Sequence, residues 1–132
     1  MLNYCDKFLL GPVSVGDIRI ANIDDDDCME IDVYHNGTWG AIYWLGLTGS
    51  AANVICRQLG YAYATARCSH IGNGSKFLWM ERTYCSGCEN NIVSCNNKWK
   101  PAYSNDVLTA GVKCSGTLHI YALFVIYIKE IS

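Results

Sequence analysis

Charged side chains are scarce in this chain, at 17% of 132 residues, while apolar ones make up 51%. That balance excludes a disordered segment, which stays open because it has too little apolar surface to bury. Long apolar runs are also missing. The longest, Leu118 to Ile128, is eleven residues and contains His119; a membrane span takes about 20, so this tail reads as an extra strand or a truncated anchor. The first sixteen residues hold one short apolar stretch, Phe8 to Leu10, and lack the apolar core of a secretory signal. They read as a leader or linker, as expected of a fragment, a mature product or an incomplete gene product. No G-x-S-x-G or H-E-x-x-H pattern occurs, and His35, His70 and His119 have no ligand-like spacing. Nothing local marks an activated nucleophile, and no enzyme is expected. Internal repeats are absent, and the four aspartates Asp24 to Asp27 are the only low-complexity tract.

What is abundant is cysteine. Eight in so short a chain, an even number at irregular spacing, read as an oxidised framework. Charge is unevenly spread. Before Cys56, eight acids face only Lys7 and Arg19, whereas from Arg57 to Lys113 seven bases outnumber Glu81, Glu89 and Asp106. The central part is therefore the part suited to anionic ligands. Lys98 and Lys100 flank Trp99, and with Arg67, Lys76 and Arg82 they form a candidate polyanion-binding surface.

Periodicity places strands at DIRIA, from Asp17, and at MEIDVYH, where Ile31 and Val33 share a face. Asn36-Gly37 is a turn signal, and Thr38 to Tyr43 resumes as a strand, giving a β-hairpin. Thr48 can cap a helix through Ala51, Ala52, Ile55 and Leu59, with Gly60 as its left-handed stop. Beyond it the chain reads as loop-rich, with a strand at Phe77 to Met80 and a closing one at Ala110 to Cys114. Asn36-Gly37-Thr38 and Asn73-Gly74-Ser75 are candidate N-glycosylation sites in turns.

Five ordered blocks, IDVYHNGTWG, SAANVICRQLG, IGNGSKFLW, CSGCENNIVSC and AGVKC, together resemble the scavenger receptor cysteine-rich (SRCR) domain over roughly Asp17 to Cys114. The resemblance implies an α+β, mostly β fold: a curved antiparallel sheet cradling one α-helix. The apolar tail, residues 115 to 132, lies beyond it. The resemblance also implies disulfides Cys56 to Cys114 and Cys85 to Cys95, the first closing a long loop and contributing on the order of 4 kcal/mol. Cys28 fits an early cysteine of the eight-cysteine subgroup, but its usual partner position holds Tyr61. Cys68, seven residues later, is a candidate substitute, and the pairing of Cys5, Cys28, Cys68 and Cys88 stays open; a Cys28 to Cys68 bridge would leave Cys5 and Cys88 to pair, stay free or bridge to another chain. Tyr43 stands where the family has a cysteine whose partner falls near Tyr103 or Ser104, so both halves of one bridge are missing. A Tyr43 ring could fill that space.

The family's cation site reads as lost. Its acidic pairs follow the hairpin cysteine and precede the AGV segment, where this chain has Trp44-Leu45 and Leu108-Thr109; of a third pair only Glu81 remains. One carboxylate does not hold calcium, so no cofactor or metal is expected. The resemblance implies a non-catalytic, extracellular or cell-surface module for protein or polyanionic ligands, with any membrane attachment made through a parent protein; no nucleic-acid partner is expected. The alternative is an intracellular zinc or thiol-redox protein built on Cys85, Cys88 and Cys95, where Cys85-Ser86-Gly87-Cys88 is a single C-x-x-C pair. Alkylation with and without reductant, followed by mass measurement, separates the two. The extracellular reading expects an oxidised framework, and six or more free thiols in the native protein would overturn it.

Overall fold

The computed structural model describes residues 17–71, 75–105 and 107–117. The N-terminal segment with Cys5, Asn73 of the second sequon, and the apolar tail from Leu118 lie outside the described residues. Seven strands and one helix follow in the order β1 (Ile18–Ile23), β2 (Met29–His35), β3 (Thr38–Ile42), α1 (Gly49–Gln58), β4 (Tyr61–Ile71), β5 (Ser75–Tyr84), β6 (Asn96–Asn105) and β7 (Leu108–Thr117). Short 3₁₀ turns cover Trp44–Gly46 and Ile92–Ser94.

The sheet runs β4-β7-β2-β3-β5-β6, and β1 also pairs with β2. Along β2, residues 29 to 33 pair with β1, while β7 takes Met29 and Glu30 and β3 takes Asp32 to His35. Because β1 occupies one edge throughout, β7 and β3 share the other. Their separation closes again where Tyr43 bridges to Thr109. Pairing is antiparallel except between β3 and β5, so the sheet is mixed where an all-antiparallel one was expected.

The hairpin of β2 and β3 forms where Asn36 (φ 47°) and Gly37 (φ 79°) both adopt the left-handed region that a tight primed turn needs. For α1, Thr48 Oγ1 accepts the amide of Ala51 at 3.3 Å, and Gly60 stops the helix with φ 97°. Ala51, Ala52, Val54, Ile55 and Cys56 are buried and meet Ile31, Val33, Ile42, Met80 and Val112 of the sheet in one core. Burial of these side chains is the main stabilising term.

Three disulfides fasten this core: Cys56–Cys114 ties α1 to β7, Cys85–Cys95 closes the loop between β5 and β6, and Cys28–Cys68 ties the start of β2 to β4. The last crosses β7 at Gly111, which pairs with Glu30 on one side and Cys68 on the other. A Cβ at Gly111 would lie 2.6 Å from Cys28 Sγ, 2.8 Å from the Met29 carbonyl oxygen and 3.2 Å from Cys68 Sγ. Only a residue without a side chain fits beneath this bridge.

The loop-rich reading after the helix is corrected. β4 is an eleven-residue strand and β6 a ten-residue one, and the closing strand extends past Cys114 to Thr117. Both β4 and β6 are edge strands with mostly exposed residues, so neither carries the apolar alternation that marks a half-buried strand. Pro101 is tolerated in β6 because an edge strand has amides that need no partner.

Gly111→Val is expected to cost about 3 kcal/mol of stability, read as a lowered denaturant midpoint with the slope unchanged, because the added carbons meet backbone and cystine rather than a mobile side-chain end. A wild-type midpoint in that variant would show that the crossing is not close-packed.

Candidate ligand-binding surface

The helix does more than fill the core; residues of its first and last turns hold the loop between β5 and β6. Arg57 donates from Nη2 to the carbonyls of Gly87 and Glu89, Gln58 Oε1 accepts the amide of Ile92 at 2.8 Å, and Ser50 Oγ donates to the Cys85 carbonyl at 2.7 Å. Arg57 and Gln58 are themselves buried. The loop also closes on itself. The Glu89 carboxylate accepts the Ser86 amide at 2.9 Å, the Ser86 hydroxyl at 3.0 Å and the Gly87 amide at 3.0 Å, and Gly87 takes φ 104°. This is why the run Cys-Ser-Gly-x-Glu works as a unit: glycine supplies the turn and the carboxylate collects its free donors. Partial burial pushes the Glu89 carboxyl up, but the backbone donors, Ser86 first, outweigh it and hold the group below its ordinary value.

β5 and β6 present the cationic surface. Arg82 lies directly across from Lys98, and Lys100 follows two residues on, the spacing that keeps both lysines on one face. Lys98 and Lys100 are 68% and 67% exposed. Glu81 falls at an irregularity in the pairing between Met80 and Arg82, and it receives Lys98 at 2.9 Å and Lys100 at 3.6 Å. The Lys98 contact, followed by the charge of Lys100, holds the Glu81 carboxyl below its ordinary value. Arg82 sits 5.8 Å from the centre of the Tyr84 ring. Behind this face Trp99 is half-buried, stacked on His35 at 3.9 Å and edge-on to Trp79 at 5.8 Å, so its ring belongs to the packing rather than to the exposed surface.

Two of the five expected cations are elsewhere. Lys76 contacts Asp32 at 3.5 Å and Glu30 at 3.6 Å, both carboxylates buried on β2, and works as an internal counter-charge. Arg67, on β4, donates to the Leu47 carbonyl at 2.7 Å and lies 5.9 Å from the Trp44 ring centre. Spacing along the chain could not show this, because the partners come from other strands. Asn36 of the first sequon is exposed at the hairpin turn.

The residues at the expected cation site do not fit a hard cation. Tyr43 bridges to Thr109, which brings Trp44-Leu45 beside Leu108-Thr109 with no carboxylate among them, and Glu81 is already neutralised by two lysines. Tyr43 is half-buried, while Tyr103 is exposed and rests on Phe77 at 5.1 Å, so the two tyrosines do not replace the missing bridge as a pair. Among the described residues, zinc or thiol chemistry has no ligand set either. Cys85 and Cys95 are joined, Cys88 is disulfide-bonded, and no described cysteine is free, which also removes Cys88 as a thiol for bridging another chain. The clusters Asp24/Cys28/His70 and Cys85/Glu89/Cys95 contain cystine sulfurs, not thiolates. The acidic loop is an ordered turn: Asp24 Oδ1 accepts the amides of Asp26 at 2.9 Å and Cys28 at 3.0 Å, and His70 Nε2–H donates to the Cys28 carbonyl at 2.7 Å. The Cys28 amide in particular holds the Asp24 carboxyl below its ordinary value.

A mixed sheet closed over one helix, with cystines at these positions, defines a family. The family model described as the scavenger receptor cysteine-rich domain matches residues 27–115, and the chain belongs to that family. Among solved structures, the dimeric form of the SRCR domain of mouse MARCO matches at 33% identity and a TM-score of 0.55, covering 65% of this chain and 84% of that one. The third SRCR domain of murine neurotrypsin matches at 29% identity and a TM-score of 0.56, covering 74% and 94%. Among curated relatives, lysyl oxidase homolog 2 of Bos taurus is 36% identical over 88 residues, 64% of this chain and 11% of that protein. A scavenger receptor cysteine-rich domain superfamily protein of Patiria pectinifera is 28% identical over 110 residues, 81% of this chain and 10% of that protein. The chain thus spans about a tenth of the length of the curated relatives it matches. Domains of this family are typically extracellular or cell-surface binding modules.

A carboxylate whose folded pKa is depressed stabilises fully above its unfolded value and loses that contribution as pH falls through the folded one. Glu89→Gln is therefore expected to cost about 1 kcal/mol at pH 7. The difference from wild type should begin to shrink as pH drops below the ordinary value of 4.5 and be lost below the depressed folded value. Urea unfolding at several pH values checks this, and a difference independent of pH would remove the charge of Glu89 from the account.

Proposed function

We propose that this chain is an extracellular, non-catalytic ligand-binding module that takes polyanionic ligands, or acidic surfaces of proteins, on the exposed face of β5 and β6. The observation that carries the reading is the arrangement of Lys98, Lys100 and Arg82: both lysines are about two-thirds exposed, and Glu81 is the one carboxylate they contact among the described residues. Side chains so exposed contribute little to fold stability, so their charge is available to a ligand. Tyr84, exposed beside Arg82, adds an aromatic edge. Glu81 acts as a built-in competitor that keeps the two lysines together and must be displaced by a stronger anion. Binding proceeds without a divalent cation, since the side chains at the family's cation position are apolar or already neutralised. Catalysis is not proposed for this domain, and the lysyl oxidase homologs it resembles devote only about a tenth of their length to the matching part.

Replacing Lys98 and Lys100 by Gln is expected to weaken binding to a sulfated polysaccharide about tenfold and to flatten its salt dependence, since exposed pairs contribute up to roughly 1 kcal/mol each and are screened by salt. Glu81→Gln should strengthen the same binding, chelator should leave it unchanged, and Lys76→Gln should leave it unchanged in any variant that still folds. Calorimetric titration reads all four, and undiminished binding by the double lysine variant would exclude this face.

A further inference from the structure

The place where the family holds a cation has become an exposed apolar patch. Leu45, on the 3₁₀ turn after β3, is 73% exposed; Ile71, at the end of β4, is 74% exposed and pairs across the strands with Leu108, itself 39% exposed. The bridge from Tyr43 to Thr109 draws these segments together, and the half-buried Trp44, next to Leu45, has the Arg67 guanidinium 5.9 Å from its ring centre. A Cβ on Gly46 would meet the backbone of Glu81 and Arg82, so the patch borders the cationic face directly. Apolar side chains with Arg67, Arg82, Lys98 and Lys100 around them suit a segment that is itself apolar and acidic.

The described residues contain one such segment. Ile23 is 55% exposed at the end of β1, and Asp25, Asp26 and Asp27 follow it, all exposed. Two amides donated to Asp24 Oδ1 and the Asp27 amide donated to the Asp24 carbonyl at 3.0 Å fix its shape, which reduces the ordering cost of docking. The loop cannot reach the patch in its own molecule. Asp24 contacts His70 at 3.7 Å, and His70 and Cys68 project from the face of β4 opposite to Arg67 and Ile71. Two complementary surfaces on opposite faces of one domain favour a head-to-tail contact between copies rather than a two-fold one.

We infer that this chain self-associates head to tail, the Leu45–Ile71–Leu108 patch and its flanking cations receiving the Ile23-to-Asp27 loop of a second copy. The contact is distinct from polyanion capture, although it shares the cations at the rim. The test is sedimentation velocity of the full chain from micromolar to several hundred micromolar. Wild type should associate with increasing concentration, its dissociation constant rising about tenfold between low and high salt. A patch variant (Leu45→Asp with Ile71→Glu) and a loop variant (Asp25→Asn, Asp26→Asn and Asp27→Asn) should each be monomeric and folded by circular dichroism. Mixed, they should form a one-to-one complex, because the first keeps an intact loop and the second an intact patch; both keep Lys98 and Lys100 and should still bind sulfated polysaccharide. A monomeric wild type at low salt, association surviving in either variant, or no complex in the mixture would overturn the inference. Flotation of monomeric wild type with anionic phospholipid vesicles, lost in the patch variant, would assign the patch to a lipid surface instead and overturn it equally.

Discussion

The close approach of three strands at Gly111 is the constraint on which the remaining structure depends. β2 and β4 are separated by β7, yet Cys28 and Cys68 are joined across it, and that requires the middle strand to present only hydrogen at the crossing. Three residues further along β7, Cys114 holds the helix. One strand therefore fixes the sheet edge, the acidic turn above it and the helix below. Cross-links that restrict the unfolded ensemble add to the stability that core packing supplies.

Charge in this domain is spent mostly on structure. Glu30 and Asp32 are buried on β2, a position that would be costly for lone carboxylates. Thr109 donates to Glu30, Arg19 donates to Asp32 at 3.1 and 3.2 Å, and the Lys76 ammonium lies between the two. Arg57, another cation of the central segment, is held by carbonyls of the cystine loop. The sequence asymmetry between an acidic first part and a basic middle is thus in large measure the record of pairing between strands. Less committed to such pairing are the exposed Arg82, Lys98 and Lys100, with Glu81 among them.

The legible parts of the sequence are those governed by local rules. Asn36-Gly37 specified a hairpin because few residue pairs adopt two successive left-handed conformations, and Thr48 with Gly60 bracketed the helix because a cap and a stop act within one turn. The cystine loop was legible through a motif whose physical cause, a carboxylate collecting the donors of its own turn, is equally local. β4 and β6 were not legible. Their stability comes from β7 and β5, and their exposed side chains carry no periodic imprint of a core. The same reason hid the roles of Arg67 and Lys76, whose partners lie on other elements. It also hid the meaning of Gly111, whose cause is a disulfide formed between two other strands.

Where the family resemblance implies acids, this chain has Trp44, Leu45 and Leu108, and on the proposed reading that difference alters the physics of recognition at that end of the domain. A cation held by carboxylates binds through strong, directional, dehydration-limited contacts and vanishes with chelator. An apolar patch gains free energy by releasing water, roughly in proportion to area, and discriminates poorly unless polar groups at its rim fix the partner's position. Here Arg67 on one side and Arg82 on the other provide that rim, and both are anchored, one through the Leu47 carbonyl and one over the Tyr84 ring. Anchored cations lose less freedom on binding than mobile ones. On the proposed reading, the apolar side chains and the positioned arginines therefore act together, and they suit surfaces in which acidic and apolar side chains alternate.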